Sequence, residues 1–143
     1  MTIDIRLLGN GDADVLSQVA EDVFDHDIIP EQAVRYLADP AYHLAVALDD
    51  DLVVGMCSGN EYWHPDKLTQ FWVNEMGVSP QYQRRGIGRR LLNTMLGVAR
   101  DRGCREVWLG TEDDNEPARA LYRSAGGKEE QFVMYTFDLS DGN

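Results

Sequence analysis

Val78-Ser79-Pro80-Gln81-Tyr82-Gln83-Arg84-Arg85-Gly86-Ile87-Gly88-Arg89-Arg90-Leu91-Leu92 decides how this chain is read. An apolar run ends at Val78, a basic turn with two glycines follows, and leucines at helical spacing begin. Backbone N–H groups in the first turn of a helix have no partner inside it, and the helix dipole adds positive charge there. Glycine lets a ligand approach the backbone without a Cβ in the way. With Arg84, Arg85, Arg89 and Arg90 alongside, this is an expected site for a phosphate or pyrophosphate. The third glycine of a dinucleotide fingerprint is absent, since Leu91 stands there, and so is the Gly-Lys-Ser/Thr of a P-loop.

Outward from the turn, Gln70–Val78 predicts a strand and Gly88–Arg102 a helix that presents Leu91, Leu92, Met95, Leu96 and Ala99 on one face. Glu106–Leu109 predicts the next strand, so Phe71 to Leu109 forms a right-handed strand–helix–strand crossover. Pro117–Ser124 predicts a helix capped by Asn115 or Glu116, and Gln131–Leu139 a last strand. Upstream, Thr2–Leu8 alternates as a strand. Asp12 or Asp14 caps a helix running to about Phe24, and Pro30–Ala38 forms a short helix. Tyr42–Leu48 and Leu52–Tyr62 read as a hairpin around Asp49-Asp50-Asp51. The order β-α-α-β-β-β-α-β-α-β over residues 1–143 is one α/β domain with a mixed sheet.

Composition limits the partners. The 143 residues carry 13 Lys and Arg against 25 Asp and Glu, a net charge of −12. Residues 1–83 contain three bases and 15 acids, while residues 84–143 balance. Nucleic acid is a poor partner for such a surface. No apolar run approaches the roughly 20 residues of a membrane span. The start of the chain lacks a secretory pattern, and Cys57 and Cys104 suit a reducing compartment, so a cytoplasmic protein is expected. His26, His43 and His64 have no ligand spacing, so no metal is expected.

Gln83-Arg84-Arg85-Gly86-Ile87-Gly88 resembles the Gln/Arg-x-x-Gly-x-Gly/Ala signature of the GNAT-type N-acetyltransferases. Asn74-Glu75-Met76-Gly77-Val78 is similar to that superfamily's fourth strand. Asn115 to Gly127 resembles its Asn-x-x-Ala-x-x-Leu-Tyr-x-x-x-Gly segment. The resemblance implies acetyl-CoA as donor, an amine as acceptor and direct transfer between them, without a metal. It also implies a homodimer.

Direct attack on a thioester needs a deprotonated amine, a stabilised oxyanion and a proton for the leaving thiolate. Glu75, an acid in an apolar strand, is the expected base, its pKa raised by burial. The resemblance implies Tyr122 as the acid near the sulfur, and main-chain groups of Met76 and Val78, with Asn115, on the pantetheine arm. The turn Gln83, Arg84, Arg85, Gly86, Ile87, Gly88 and Arg89 would hold the pyrophosphate.

Acids near the site point to a cationic acceptor. Glu112, Asp113, Asp114 and Glu116 precede the Tyr122 helix, and Asp25, Glu61 and Glu75 come from the acidic half. Within the superfamily, the Glu129-Glu130 and Phe137-Asp138 tail is similar to the class I aminoglycoside 3-N-acetyltransferases, which carry Asp where Glu75 stands. That implies acetylation of an aminoglycoside and antibiotic resistance. A polyamine, an amino sugar, a protein N-terminus or a lysine is the alternative acceptor, and a non-catalytic CoA-binding regulator the alternative class.

Overall fold

A computed structural model describes residues 2–140. The strands are β1 (Asp4–Leu8), β2 (Tyr42–Asp49), β3 (Leu52–Tyr62), β4 (Gln70–Val78) and β5 (Val107–Trp108). The helices are α1 (Pro30–Ala38), α2 (Ile87–Asp101) and α3 (Glu116–Ser124). The sheet runs β1-β2-β3-β4-β5, antiparallel except for the parallel β4–β5 pair. Parallel pairing follows because α2 carries the chain from the end of β4 back to its start.

Strong periodicity and turn chemistry set the central elements. Pro30 opens α1 with its fixed φ and no N–H to lose. Asp50, with φ 52°, turns the β2–β3 hairpin in the left-handed region that Asp tolerates. Side chains alternate across the sheet, so each face has its own core. On one face Ile87, Leu91, Met95 and Ala99 of α2 pack on Ala45, Cys57 and Phe71. On the other, Leu16, Val23 and Leu37 pack on Leu44, Val46 and Met56.

Two expected elements are corrected. The helix to Phe24 is a 3-10 turn over Ala13–Ser17, after which the chain is irregular up to α1. The sheet is the cause. β4 stops at Val78, opposite Gly55, which leaves the outer main-chain groups of Val53 open. Gln18 O accepts from Val53 N at 2.9 Å, and Ala20 N donates to Val53 O at 2.8 Å. Those two bonds fix Val19 beside β3 and are incompatible with a helix there. Residues 131–139 form no strand and pair with none of the five strands. Their apolar side chains stand in solvent.

Candidate active site

The site begins with a register fault in β4. Val73 lies opposite Gly59 and Glu75 opposite Ser58, so Asn74 is an extra residue. Such a bulge bends a strand and reverses which side its hydrogen-bonding groups face. Before it, Phe71 N donates to Glu106 O, towards β5. After it, Ser79 N donates to Val54 O, towards β3. By alternation the N–H and C=O groups of Met76 and Val78 face the β5 side. β5 does not reach them, because it pairs only with Phe71 and Trp72. The second half of β4 therefore presents an open edge able to accept an extended ligand as an added strand. The Gln83 side-chain amide donates to Val78 O at 3.0 Å and ties the following turn to this edge.

The turn has the geometry that its glycines announced. Gly86 caps α2 in the left-handed region, φ 77° and ψ 9°, and Arg84 precedes it at φ 64°. Gly86 has no side chain to cap with, so the N–H groups of Ile87, Gly88 and Arg89 open outward at the positive end of the helix. The four arginines divide. Arg89 donates to Ser124 Oγ and O at 2.7 and 3.0 Å, and Arg90 donates to Ile3 O at 3.0 Å. Those two side chains fasten α2 to α3 and to the N-terminal strand region. The expected anion contact of Arg89 is thus left to its main chain. Arg84 and Arg85 stay at the turn, Arg85 over the Tyr82 ring at 5.3 Å.

Glu75 and Tyr122 lie on opposite sides of the sheet, Tyr122 near Cys57, which pairs with Met76 on the α2 side. Glu75 alternates with Met76, which packs towards α2, so Glu75 faces the α1 side. Desolvation raises its pKa, the Asp25 charge raises it further, and His26 opposes both. The loop bearing Asp25 and His26 crosses β4 closely. A Cβ on Gly77 would collide with Val23 O, so only glycine lets the loop lie there. Tyr122 is half-buried, and desolvation followed by the nearby Cys57 raises its pKa. Its phenol stays protonated at neutral pH and able to give a proton.

The irregular loop lines a cleft of its own. Leu16, Val19, Asp22, Asp25, His26 and Asp27 line an open cleft of about 600 Å³. Asp25 was expected here; Asp22 and His26 were not, since a helix to Phe24 would have carried Asp22 elsewhere. Asp22 at φ 61° is part of the turn that aims this loop. If Asp25 helps hold the Glu75 proton, Asp25→Asn lowers the Glu75 pKa. The acidic limb of the kcat/KM–pH profile then moves to lower pH, since the base must be ionised to act. An unmoved limb in a folded Asp25→Asn protein removes the coupling.

Three of the remaining expected acids, Glu61, Asp113 and Glu116, are engaged elsewhere. Glu61 accepts from His43 Nε2 and Arg102 Nε, each at 3.0 Å, with 7% of its side chain exposed. It pairs opposite Phe71, four residues along β4 from Glu75, or about 13 Å. It joins a buried network and not the cleft. Arg119 gathers the pre-helix loop, with Glu129 at 2.8 Å, Glu116 at 3.3 Å and Asp113 at 3.8 Å. Glu112 and Asp114 remain exposed. The acidic loop is thus partly neutralised where it stands, while Glu112 and Asp114, like the acids of 22–27, are in no ion pair among the described residues. Asn115 Oδ1 caps α3 through Ala118 N at 3.2 Å. Among the described residues no three His, Cys, Asp or Glu side chains converge as a metal ion needs.

The acetyltransferase (GNAT) family model matches residues 14–126. The N-alpha-acetyltransferase RimI of Mycobacterium tuberculosis (strain ATCC 25618 / H37Rv) is 35% identical over 126 residues, 87% of this chain and 77% of its own. Other curated relatives are matched over 31–54% of their own length. In fold the chain is similar to an aminoglycoside acetyltransferase, meta-AAC0020, from an uncultured soil metagenomic sample, in complex with trehalose. That similarity has TM-score 0.84 at 21% identity and covers 96% of this chain and 97% of that one. It is also similar to AAC(6')-Iy in complex with a bisubstrate analogue, CoA-S-monomethyl-acetylneamine. Here the TM-score is 0.80 at 15% identity, with 96% and 99% covered.

Proposed function

Because this chain belongs to the acetyltransferase (GNAT) family, we propose that it moves an acetyl group from acetyl-CoA to a primary amine of a small polycation of the aminoglycoside class. The observation that carries the acceptor is Asp25, close enough to Glu75 to raise its pKa, on a loop whose acids Asp22, Asp25 and Asp27 line an open cleft. Acetyl-CoA supplies the acetyl thioester when bound. The residues present fit it: the open edge at Met76 and Val78 suits an amide-bearing arm, and the Gly86–Arg89 N–H groups with Arg84 and Arg85 suit a pyrophosphate.

Glu75 accepts a proton from the acceptor ammonium, directly or through one water. Its raised pKa places it nearer the range where a base works at neutral pH. The Met76 N–H faces the gap and donates to the carbonyl oxygen as charge collects there. Tyr122, kept protonated, returns a proton to the departing thiolate. The Glu129-Glu130 and Phe137-Asp138 resemblance to the 3-N enzymes supports the 3-amino group as the position modified.

A protein N-terminal α-amine is the second reading, supported by the 35% identity to the RimI enzyme. A thiol-release assay across gentamicin, spermidine, a monoamine and N-terminal peptides separates the two. For the aminoglycoside reading, KM rises with ionic strength more steeply than for the monoamine, since screening acts within about 8–10 Å. Turnover of peptides with no turnover of any aminoglycoside moves the assignment to the second reading.

A further inference from the structure

Two indole rings stand on the same face of the sheet as Glu75. Leu44 shares a core with Leu37 of α1, Leu44 pairs with Ser58, and Ser58 pairs with Glu75. Asn60 alternates with Ser58 and pairs with Trp72, which in turn pairs with Trp108. Glu75, Trp72 and Trp108 therefore all lie on the α1 side. On that side α1 packs on β2, while α2 covers the opposite face. The corner made by β4 and β5 keeps Trp108 46% exposed.

The rings meet edge to face, with centroids 5.7 Å apart and planes at 63°. A carboxylate is fastened to them. Glu106 Oε1 accepts from Trp108 Nε1 at 2.5 Å and from Gln70 Nε2 at 2.6 Å. Gln70 is oriented in turn by His64, whose Nε2 lies 2.8 Å from Gln70 Oε1. Trp108 and Gln70 are neutral donors, and both use the same oxygen. Among the described residues Glu106 is in no ion pair and its Oε2 accepts from none. A fixed carboxylate oxygen at the rim of two π faces is a receptor for an ammonium group. The oxygen takes the charge and an N–H, and the rings attract the cation and cover the C–H groups around it. Trp72 precedes Glu75 by three positions, or about 10 Å, a length that two linked sugar rings span. Between them Asn74 Nδ2 donates to Asn60 Oδ1 at 2.8 Å, a pair of amides that suits hydroxyl groups.

We propose that Trp72, Trp108 and Glu106 form a second acceptor subsite, which holds an ammonium-bearing ring of the polycation while another of its amines faces Glu75. The inference rests on the aminoglycoside reading and adds its selectivity. An acceptor with amines on two linked rings engages both places at once, and a single-ring amine engages only Glu75. An uncharged stretch of peptide gains nothing from Glu106.

The test is steady-state kinetics of the full chain with gentamicin and with glucosamine, a single-ring amine. Glu106→Gln keeps the oxygen that accepts from Trp108 and Gln70 and loses only the charge. It is expected to raise KM for gentamicin at least about 10-fold more than KM for glucosamine. The rise of the gentamicin KM with ionic strength should flatten in the same variant, which a merely structural role for Glu106 would not bring about. Trp108→Leu should shift the two KM values in the same sense. An unmoved gentamicin KM in Glu106→Gln overturns the subsite and leaves the aminoglycoside reading standing. Equal losses on both acceptors also overturn it, since Glu106 then only supports β5. No turnover of gentamicin by the unaltered enzyme removes the aminoglycoside reading and the subsite together. Should Trp108→Leu fail to fold, Glu106→Gln decides alone.

Discussion

Glu75→Gln is expected to lower kcat/KM for the amine by roughly 10²–10⁴, with CoA affinity nearly unchanged. The amide cannot take a proton at neutral pH but keeps the size of the carboxylate, so the fold and the β4 edge stay as they are. Glu75 is exposed and opposite Ser58, with no core role to lose. Desolvation and Asp25 raise its pKa, so the wild-type rate falls as pH drops through that raised value. In Glu75→Gln this limb disappears and the residual rate follows the ionisation of the amine. Steady-state kinetics across pH, with calorimetric CoA titration, check both halves. Full activity with an intact acidic limb places the base elsewhere, with Asp25 first in line by proximity.

Gly86→Val is expected to weaken CoA binding by at least about 100-fold in a protein that still folds. Gly86 sits at φ 77°, where a side chain costs roughly 1–2 kcal/mol. A Cβ there meets nothing within 4 Å, so the strain is local and the core is not displaced. The new side chain stands at the mouth of the α2 N-terminus and relaxes the turn that aims three N–H groups at one point. Thermal unfolding should show a drop of a few degrees only. Calorimetry that finds unchanged CoA affinity in the folded variant would refute the assignment of this turn to the pyrophosphate.

The two variants probe what was readable at different depths. The turn at Gly86 and the strand carrying Glu75 were legible because their signals are local. Leucines at helical spacing, glycines at a strand end and an acid among apolar residues need no remote partner to be recognised. The hairpin of β2 and β3, β4 and the three helices follow from the same kind of evidence. Their observed bounds fall within a residue or so of those expected.

Charge was legible as a total and not as a place. The acids at 113 and 116 look available along the sequence, but Arg119 holds them, and Glu61 does too, but His43 and Arg102 hold it. Four arginines at the turn looked alike, yet Arg89 and Arg90 are used as struts to Ser124 and Ile3. Pairing distance depends on which elements the sheet brings together, and no spacing along the chain encodes it.

By itself, then, the sequence determined most local elements and the glycine turn, since each rests on neighbours within a few residues, and it singled out Glu75 and Tyr122 as candidates, the second through the family resemblance. Tertiary structure alone decided the course of the loop before α1 and the fate of the tail. Residues 18–20 gave up a helix because Val53 main-chain groups, far along the chain, had no other partner, and that choice put Asp25 and His26 beside Glu75. Residues 131–139 have the pattern of a strand, but a strand exists only where an edge meets it, and their own sheet does not. Backbone hydrogen bonding is an obligation that the whole sheet must meet, so its outcome is set by the assembled edges and not by the segment.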